Sequence, residues 1–189
     1  MLFPEIYPTA ELQKLDEIRI WHGRVVESLS DQRATVQKAI QDGSSVAPRY
    51  MLMEEAEVGA EFDDLQRELD RLTMLNLVAS AEASIKLDYL SRIQSKKPKD
   101  ALTTAYLNWH KALSPRKQRR PDFDRHGILE VLKSSGVMHK HIIGKFRRCL
   151  LARHWIGHGR CWDNPDDVNE LDPIEVYGRA KALLQALPM

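Results

Sequence analysis

From Phe62 to Ile93 the apolar residues fall mostly three, four or seven apart: Phe62, Leu65, Leu69, Leu72, Val78, Ile85, Tyr89 and Ile93. That is the period of an α-helix, and no proline interrupts it. A segment of this length in one period predicts a long helix over residues 50–95, with an apolar side that other elements must cover. Gly59 is read as a break near its start. Residues 9–42 repeat the pattern with Leu12, Leu15, Ile18, Val25, Leu29, Val36 and Ile40. Thr9 is the expected N-cap of this second helix, and Asp42-Gly43 its stop. Between the two, GSSVAPR (43–49) reads as a loop.

The remainder of the chain carries shorter helical segments. The polar turn SKKPKD (95–100) precedes a helix over 101–113. SPRKQRRPDFDRH (114–126) holds two prolines and a cluster of cations, so it is expected as an exposed loop. A short helix over 127–135 ends at Ser135-Gly136, and a main helix follows from about 138 to 158. CWDNPDDVNELDP is turn-rich, and 173–186 can form a last helix. No segment alternates apolar and polar residues for long, so no strand is required. The expected fold class is an all-α helical bundle with two long helices and several shorter ones. With 189 residues, the chain suits one domain over 1–189, with its core at about 60–160 and an N-terminal helical extension over 1–49.

Hydrophobic residues make up 43% and charged residues 29% of the chain, the balance of a folded domain rather than a disordered one. No apolar run is long enough to cross a membrane, and the N-terminus lacks the pattern of a secretory signal. Two cysteines, Cys149 and Cys161, do not make a disulfide framework, so a reducing cytoplasmic compartment is expected. The net charge of +1 hides a partition: −8 over residues 1–85, +13 over 86–160 and −4 over 161–189. A basic middle region suits a polyanionic partner, and equally an acidic neighbour within the fold or across a dimer.

The densest chemistry lies in GKFRRCLLARHWIGHGR (144–160). At about 100° per residue, Phe146, Cys149, Leu150, Trp155 and Ile156 form an apolar face, with Trp155 and Ile156 expected in the core. His154 and His158 are four apart and share a side. Arg147 falls on the same stripe, whereas Arg153 projects about 140° from His158. Gly157 and Gly159 make a helix end near His158 credible, and that end would let Arg153 and His158 approach.

Arg153, four intervening residues and His158, at the end of a late helix in an all-helical chain, resemble the signature of the HEPN superfamily. That signature is an arginine, four to six residues, then a histidine, with a polar residue often directly after the arginine. Here His154 holds the polar position, and Gly159 follows the histidine as it does in many members. The helix around ASAEASIKLDYL is similar to an earlier core helix of the family, with Glu82 matching an acidic residue that can approach the site. The resemblance covers about residues 75–160. Some toxin members carry a tyrosine two residues after the histidine; this chain has Arg160 there, so control by modification of that tyrosine is not carried over.

The resemblance implies a homodimeric, metal-independent endoribonuclease that needs no cofactor. It also implies a toxin or defence effector held by an antitoxin or regulatory protein. Other members are non-catalytic dimerisation or binding modules, and that alternative stands beside the first. The residue types suit the reaction. An imidazole exchanges protons near neutral pH, and a guanidinium stays charged and forks two hydrogen bonds onto a phosphate. His158 is the candidate for proton transfer, Arg153 for charge stabilisation, and His154 for orienting His158 or touching phosphate. Lys145, Arg147, Arg148 and Arg160 along the site helix, with Arg116, Lys117, Arg119 and Arg120 in the loop, are candidates for the RNA backbone.

Each residue also has a plainer reading. Arg153 can be a cation at a helix C-terminus, His158 a cap, His154 a solvated side chain, Glu82 an ion-pair partner and the basic loop merely solvated. His154-x3-His158 with Cys149 and Cys161 offers zinc-ligand chemistry, but there is no Cys-x2-Cys pair, and Cys149 projects about 140° from His154. No metal is therefore expected. His139 and His141 are expected to face solvent.

Overall fold

The computed structural model describes residues 12–95, 100–160 and 171–188. Among them every regular element is helical: α1 (Leu15–Gln41), a 3-10 turn (Pro48–Tyr50), α2 (Glu55–Gln94), α3 (Ala101–Ala112), α4 (Pro115–Arg119), α5 (Ile128–Ser134), α6 (Lys140–Gly157) and α7 (Pro173–Gln185). The all-α bundle expected from periodicity is what the chain forms. No helix of the described residues is long and apolar enough to cross a membrane.

Local chemistry sets most of the ends. Gly43 turns left-handed at φ 65°, and the N–H groups of Ser44 and Gly43 return to the carbonyls of Ala39 and Ile40. That pattern closes α1 where Asp42-Gly43 was expected to close it. The start of α1 is corrected: Lys14 is extended and its N–H donates to Glu17 Oε2 at 3.0 Å, so the helix begins at Leu15 rather than at 9. Thr9 lies outside the described residues. Asp100 and Asp172 cap α3 and α7 by accepting from the N–H groups of Thr103 and Glu175, each at 2.7 Å.

Two further expectations are corrected. Gly59 does not break α2. It is buried, and a Cβ there would stand 3.2 Å from Arg33 Nη2 and 3.6 Å from Gln37 Nε2; the missing side chain lets the α1 side chains lie close against α2. The 114–126 stretch is not loop throughout, because Pro115–Arg119 form one helical turn. Pro115 occupies the first position, where its missing N–H costs nothing, and Gln118 Nε2 donates to the His110 carbonyl at 3.1 Å.

α2, about 60 Å long, is the axis of the molecule. α1 packs antiparallel along its first half, and α3, α6 and α7 gather around its second. α6 also runs antiparallel to α2: Arg153 meets Glu82, Gly157 approaches Leu75 and Arg160 reaches Glu68. The main core joins Leu77, Ala81, Ile85 and Tyr89 of α2 to Leu102 and Tyr106 of α3, Leu129 and Leu132 of α5, Ile143 and Phe146 of α6, and Val176 and Leu183 of α7. It extends beyond the expected 60–160, because Leu15, Ile18 and the apolar side of α7 are part of it.

Candidate functional site

The end of α6 is built by a glycine. His158 is the C-terminal cap, Gly159 follows at φ 74°, and the N–H groups of Arg160 and Gly159 donate to the carbonyls of Trp155 and Ile156 at 3.1 and 3.2 Å. This double bond pattern needs a left-handed residue after the cap, which glycine supplies at least cost. Arg160 also has positive φ, 57°, and is pinned by two hydrogen bonds to Glu68 at 2.5 and 3.3 Å. The Arg160 guanidinium holds the Glu68 carboxyl below its ordinary range. Ala152, Trp155 and Ile156 are buried, as expected for the latter two, and Arg71 lies over the Trp155 ring. The packed side of this last turn fixes where its polar side points.

His154 and His158 are both exposed, with ring centroids 4.2 Å apart. Arg153, one residue back, turns toward α2, where its Nη2 lies 3.7 Å from Glu82 Oε2. That is an ion pair too long for a hydrogen bond. The two ends differ in exposure: 43% for the Arg153 side chain and 11% for Glu82. Glu82 Oε1 accepts from Lys86 at 2.5 Å, while Oε2 has no hydrogen-bond partner. Arg153 is thus held at its inner edge by a buried carboxylate and presents its outer edge to solvent.

Arg153, His154 and Glu82 line one open cleft of about 520 Å³, with Leu150, Leu151 and the segment Asp122–Arg125. Three candidates from the sequence, Arg153, His154 and Glu82, thus line one cleft. His158 is not among its lining residues; its ring stands beside that of His154. Cationic, proton-exchanging and acidic groups meet at a wet surface, which suits an anionic substrate.

The basic residues separate into groups. Lys145 and Arg148 lie on the exposed side of α6, toward its N-terminus. Arg147 turns the other way and is occupied at both forks, Nε to Asp124 Oδ1 at 2.9 Å and Nη2 to Glu130 Oε2 at 2.6 Å. Arg160 is engaged with Glu68. Arg116, Lys117, Arg119 and Arg120 are exposed on and just after α4, and Lys117 reaches Asp122 at 3.3 Å. His139 and His141 are exposed at the start of α6.

The zinc alternative loses a ligand. Cys149 is fully buried, its Sγ donates to the Lys145 carbonyl, and burial pushes its thiol up to about 11. The thiol is sealed in the core while His154 and His158 are exposed, so it does not share a site with them. Cys161 lies outside the described residues, among which no group of three or more His, Cys, Asp or Glu could hold a metal ion.

Sequence reasoning missed that Phe123 and Arg125 line the cleft together with α6, and missed Lys86 beside Glu82. Phe123 packs against the core with the Lys86 ammonium 5.4 Å from its ring centroid. The only signal for Lys86 was its spacing of four from Glu82 on a helix. Compared with protein-family profiles, with curated proteins and with solved structures, the chain matches none.

Proposed function

We propose that this chain is a metal-independent endoribonuclease of HEPN type that works as a homodimer, and that its biological context is a toxin or defence effector controlled by a partner protein. The observation that carries the reading is the joint placement of a half-exposed Arg153, paired with Glu82, and of His154 in one open cleft, with the His158 ring beside that of His154.

The reaction is internal transfer at an RNA phosphodiester. The 2′-oxygen attacks phosphorus and gives its proton to a base, and the 5′-oxygen leaves as it receives a proton from an acid. The products are a 2′,3′-cyclic phosphate and a free 5′-hydroxyl. His158 moves protons, His154 orients it or supplies the second proton role, and Arg153 stabilises the added negative charge of the phosphorane. A two-fold dimer doubles this set, so acid and base can come from different protomers. No cofactor enters.

The test is degradation of RNA in EDTA by the wild type, Arg153→Ala and His158→Ala. Each substitution is expected to slow cleavage by about 10²- to 10⁴-fold while the helical circular dichroism is kept. Equal activity in all three proteins rejects the assignment. A second reading, a non-catalytic helical module that binds protein or nucleic acid, is favoured by one observation: Arg147 and Arg160 are already neutralised by carboxylates. A folded dimer that leaves RNA intact is the result that selects it.

A further inference from the structure

We infer that Arg125, in the segment between α4 and α5, is a second phosphate-holding guanidinium, and that a phosphodiester of the substrate sits in the cleft between it and Arg153. This rests on the ribonuclease reading and adds to it a substrate contact from the Asp122–Arg125 segment, which lines the same cleft as α6.

Three carboxylates line the cleft, Glu82, Asp122 and Asp124. Each has a cation committed to it: Lys86 and Arg153 at Glu82, Lys117 at Asp122 and Arg147 at Asp124. Arg125 lines the same cleft, is exposed, and has no carboxylate partner among the described residues. Among the described residues it is a cation of this cleft that no carboxylate neutralises, and Arg153, held on one edge only, is the other guanidinium with capacity to spare. A phosphodiester carries one negative charge and its phosphorane two. Two guanidiniums, one from α6 and one from the Asp122–Arg125 segment, match that change better than Arg153 alone, whose inner edge already faces Glu82.

The segment that carries Arg125 is closed by backbone bonds at both ends. The Ile128 N–H donates to the Asp122 carbonyl at 3.0 Å, Leu129 N–H to Phe123 at 2.9 Å and Gly127 N–H to Asp124 at 3.1 Å. Asp124 is tied to α6 through Arg147, and Phe123 is packed against the core. His126 takes the left-handed conformation, φ 59°. A Cβ on Gly127 would stand 2.1 Å from the Asp122 carbonyl oxygen, so this path of the chain admits only glycine there. The backbone under Arg125 is therefore set before substrate arrives, and only the side chain has to be ordered on binding.

The test uses a 2′-deoxy single strand, which cannot be cut by 2′-oxygen attack, and the all-ribo strand of the same sequence, both in EDTA. Arg125→Ala is expected to weaken binding of the deoxy strand by about tenfold, the loss of one charged hydrogen-bonding contact. The slope of log affinity against log salt should fall by about 0.7, one phosphate contact on a single strand. Arg125→Lys should recover part of the affinity, because the charge returns without the fork. On the all-ribo strand the loss should fall more on KM than on kcat. Gly127→Ala, which must displace the segment, should weaken binding as Arg125→Ala does while the helical signal is kept.

Unchanged affinity and salt slope in Arg125→Ala, with cleavage that still requires Arg153, overturns this inference and leaves the ribonuclease reading in place. Arg125-dependent binding of the deoxy strand with the all-ribo strand left uncut overturns the ribonuclease reading and upholds the phosphate seat.

Discussion

Between Thr73 and Gln94, α2 is enclosed by α3, α6, α7 and the first turn of α1, and Leu77, Val78, Ala81, Ile85 and Tyr89 are sealed from solvent. Between Glu55 and Leu72 the same helix has α1 beside it and meets the end of α6 only around Glu68 and Arg71. The small cluster there is Tyr50, Val58 and Phe62, with Leu29, Val36 and Ile40 packed against it. Polar pairs do the rest: His22 with Asp70 at 2.7 Å and Arg33 with Asp63 at 2.6 Å. Trp21, Leu65 and Leu72 are left about half exposed. Among the described residues, one unbroken helix thus passes from a region held by buried apolar area to one held mainly by α1 and by charge. The cleft belongs to the first region, since Leu150 is part of the main core and Glu82 is buried beside Ala81. Side chains that must keep a fixed geometry need such a support.

The strongest way to break this comparison is to remove one large buried side chain from each half. Phe146→Ala, in the main core, is expected to cost about 3–5 kcal/mol and to lower the whole unfolding transition in urea. Phe62→Ala should leave that transition mostly in place and release amide protection only in the adjoining parts of α1 and α2, read by hydrogen exchange. Equal global losses would mean that the two halves unfold as one unit.

Arg92 tests how the enclosed half is tied at its far end. Its guanidinium joins Asp88, Asp100, Thr103 and the Pro188 carbonyl, and its side chain is 11% exposed. Arg92→Met strands two part-buried carboxylates and should cost about 2 kcal/mol in a denaturant melt. A cost near zero would mean that the apolar contacts alone hold α3 and the C-terminal residues on α2.

A smaller effect should come from His110, whose Nδ1 lies 2.6 Å from the Tyr89 hydroxyl. Burial lowers its pKa below the ordinary 6.5. As pH falls below 6.5 the unfolded chain takes up a proton that the folded chain still refuses, so stability declines until the folded His110 titrates as well. His110→Gln should flatten that part of the stability–pH curve; an unchanged curve refutes the assignment. The smallest effect is expected in the exposed half. A double-mutant cycle on Arg33 and Asp63 should give about 0.2–1 kcal/mol, and a larger coupling would show that the hairpin depends on this pair.

What could be read from the chain follows the same division between near and far. Helix ends at Gly43, Ser135-Gly136, Gly159 and Pro173 were legible because the groups that close them lie within a few residues. The pairing of the His154 and His158 rings was legible because the two residues are four apart on one helix, and Glu82 came from the family resemblance. Arg147 could not be read as occupied, since its partners Asp124 and Glu130 lie 23 and 17 residues away. Arg125 looked like one more cation in a basic stretch until the fold brought it into one cleft with Arg153 and His154. Gly59 was misread because its role is set by Arg33 and Gln37 of a neighbouring helix, not by its own.

The central claim is that guanidinium and imidazole at the end of α6 drive attack by the substrate's own 2′-oxygen. Phosphorus NMR of a short RNA cut by the EDTA-treated protein tests it most directly. The account predicts the resonance of a five-membered 2′,3′-cyclic phosphate, missing with Arg153→Ala and His158→Ala. Fragments that carry 5′-phosphates, or a cyclic product formed equally well by both variants, would contradict it.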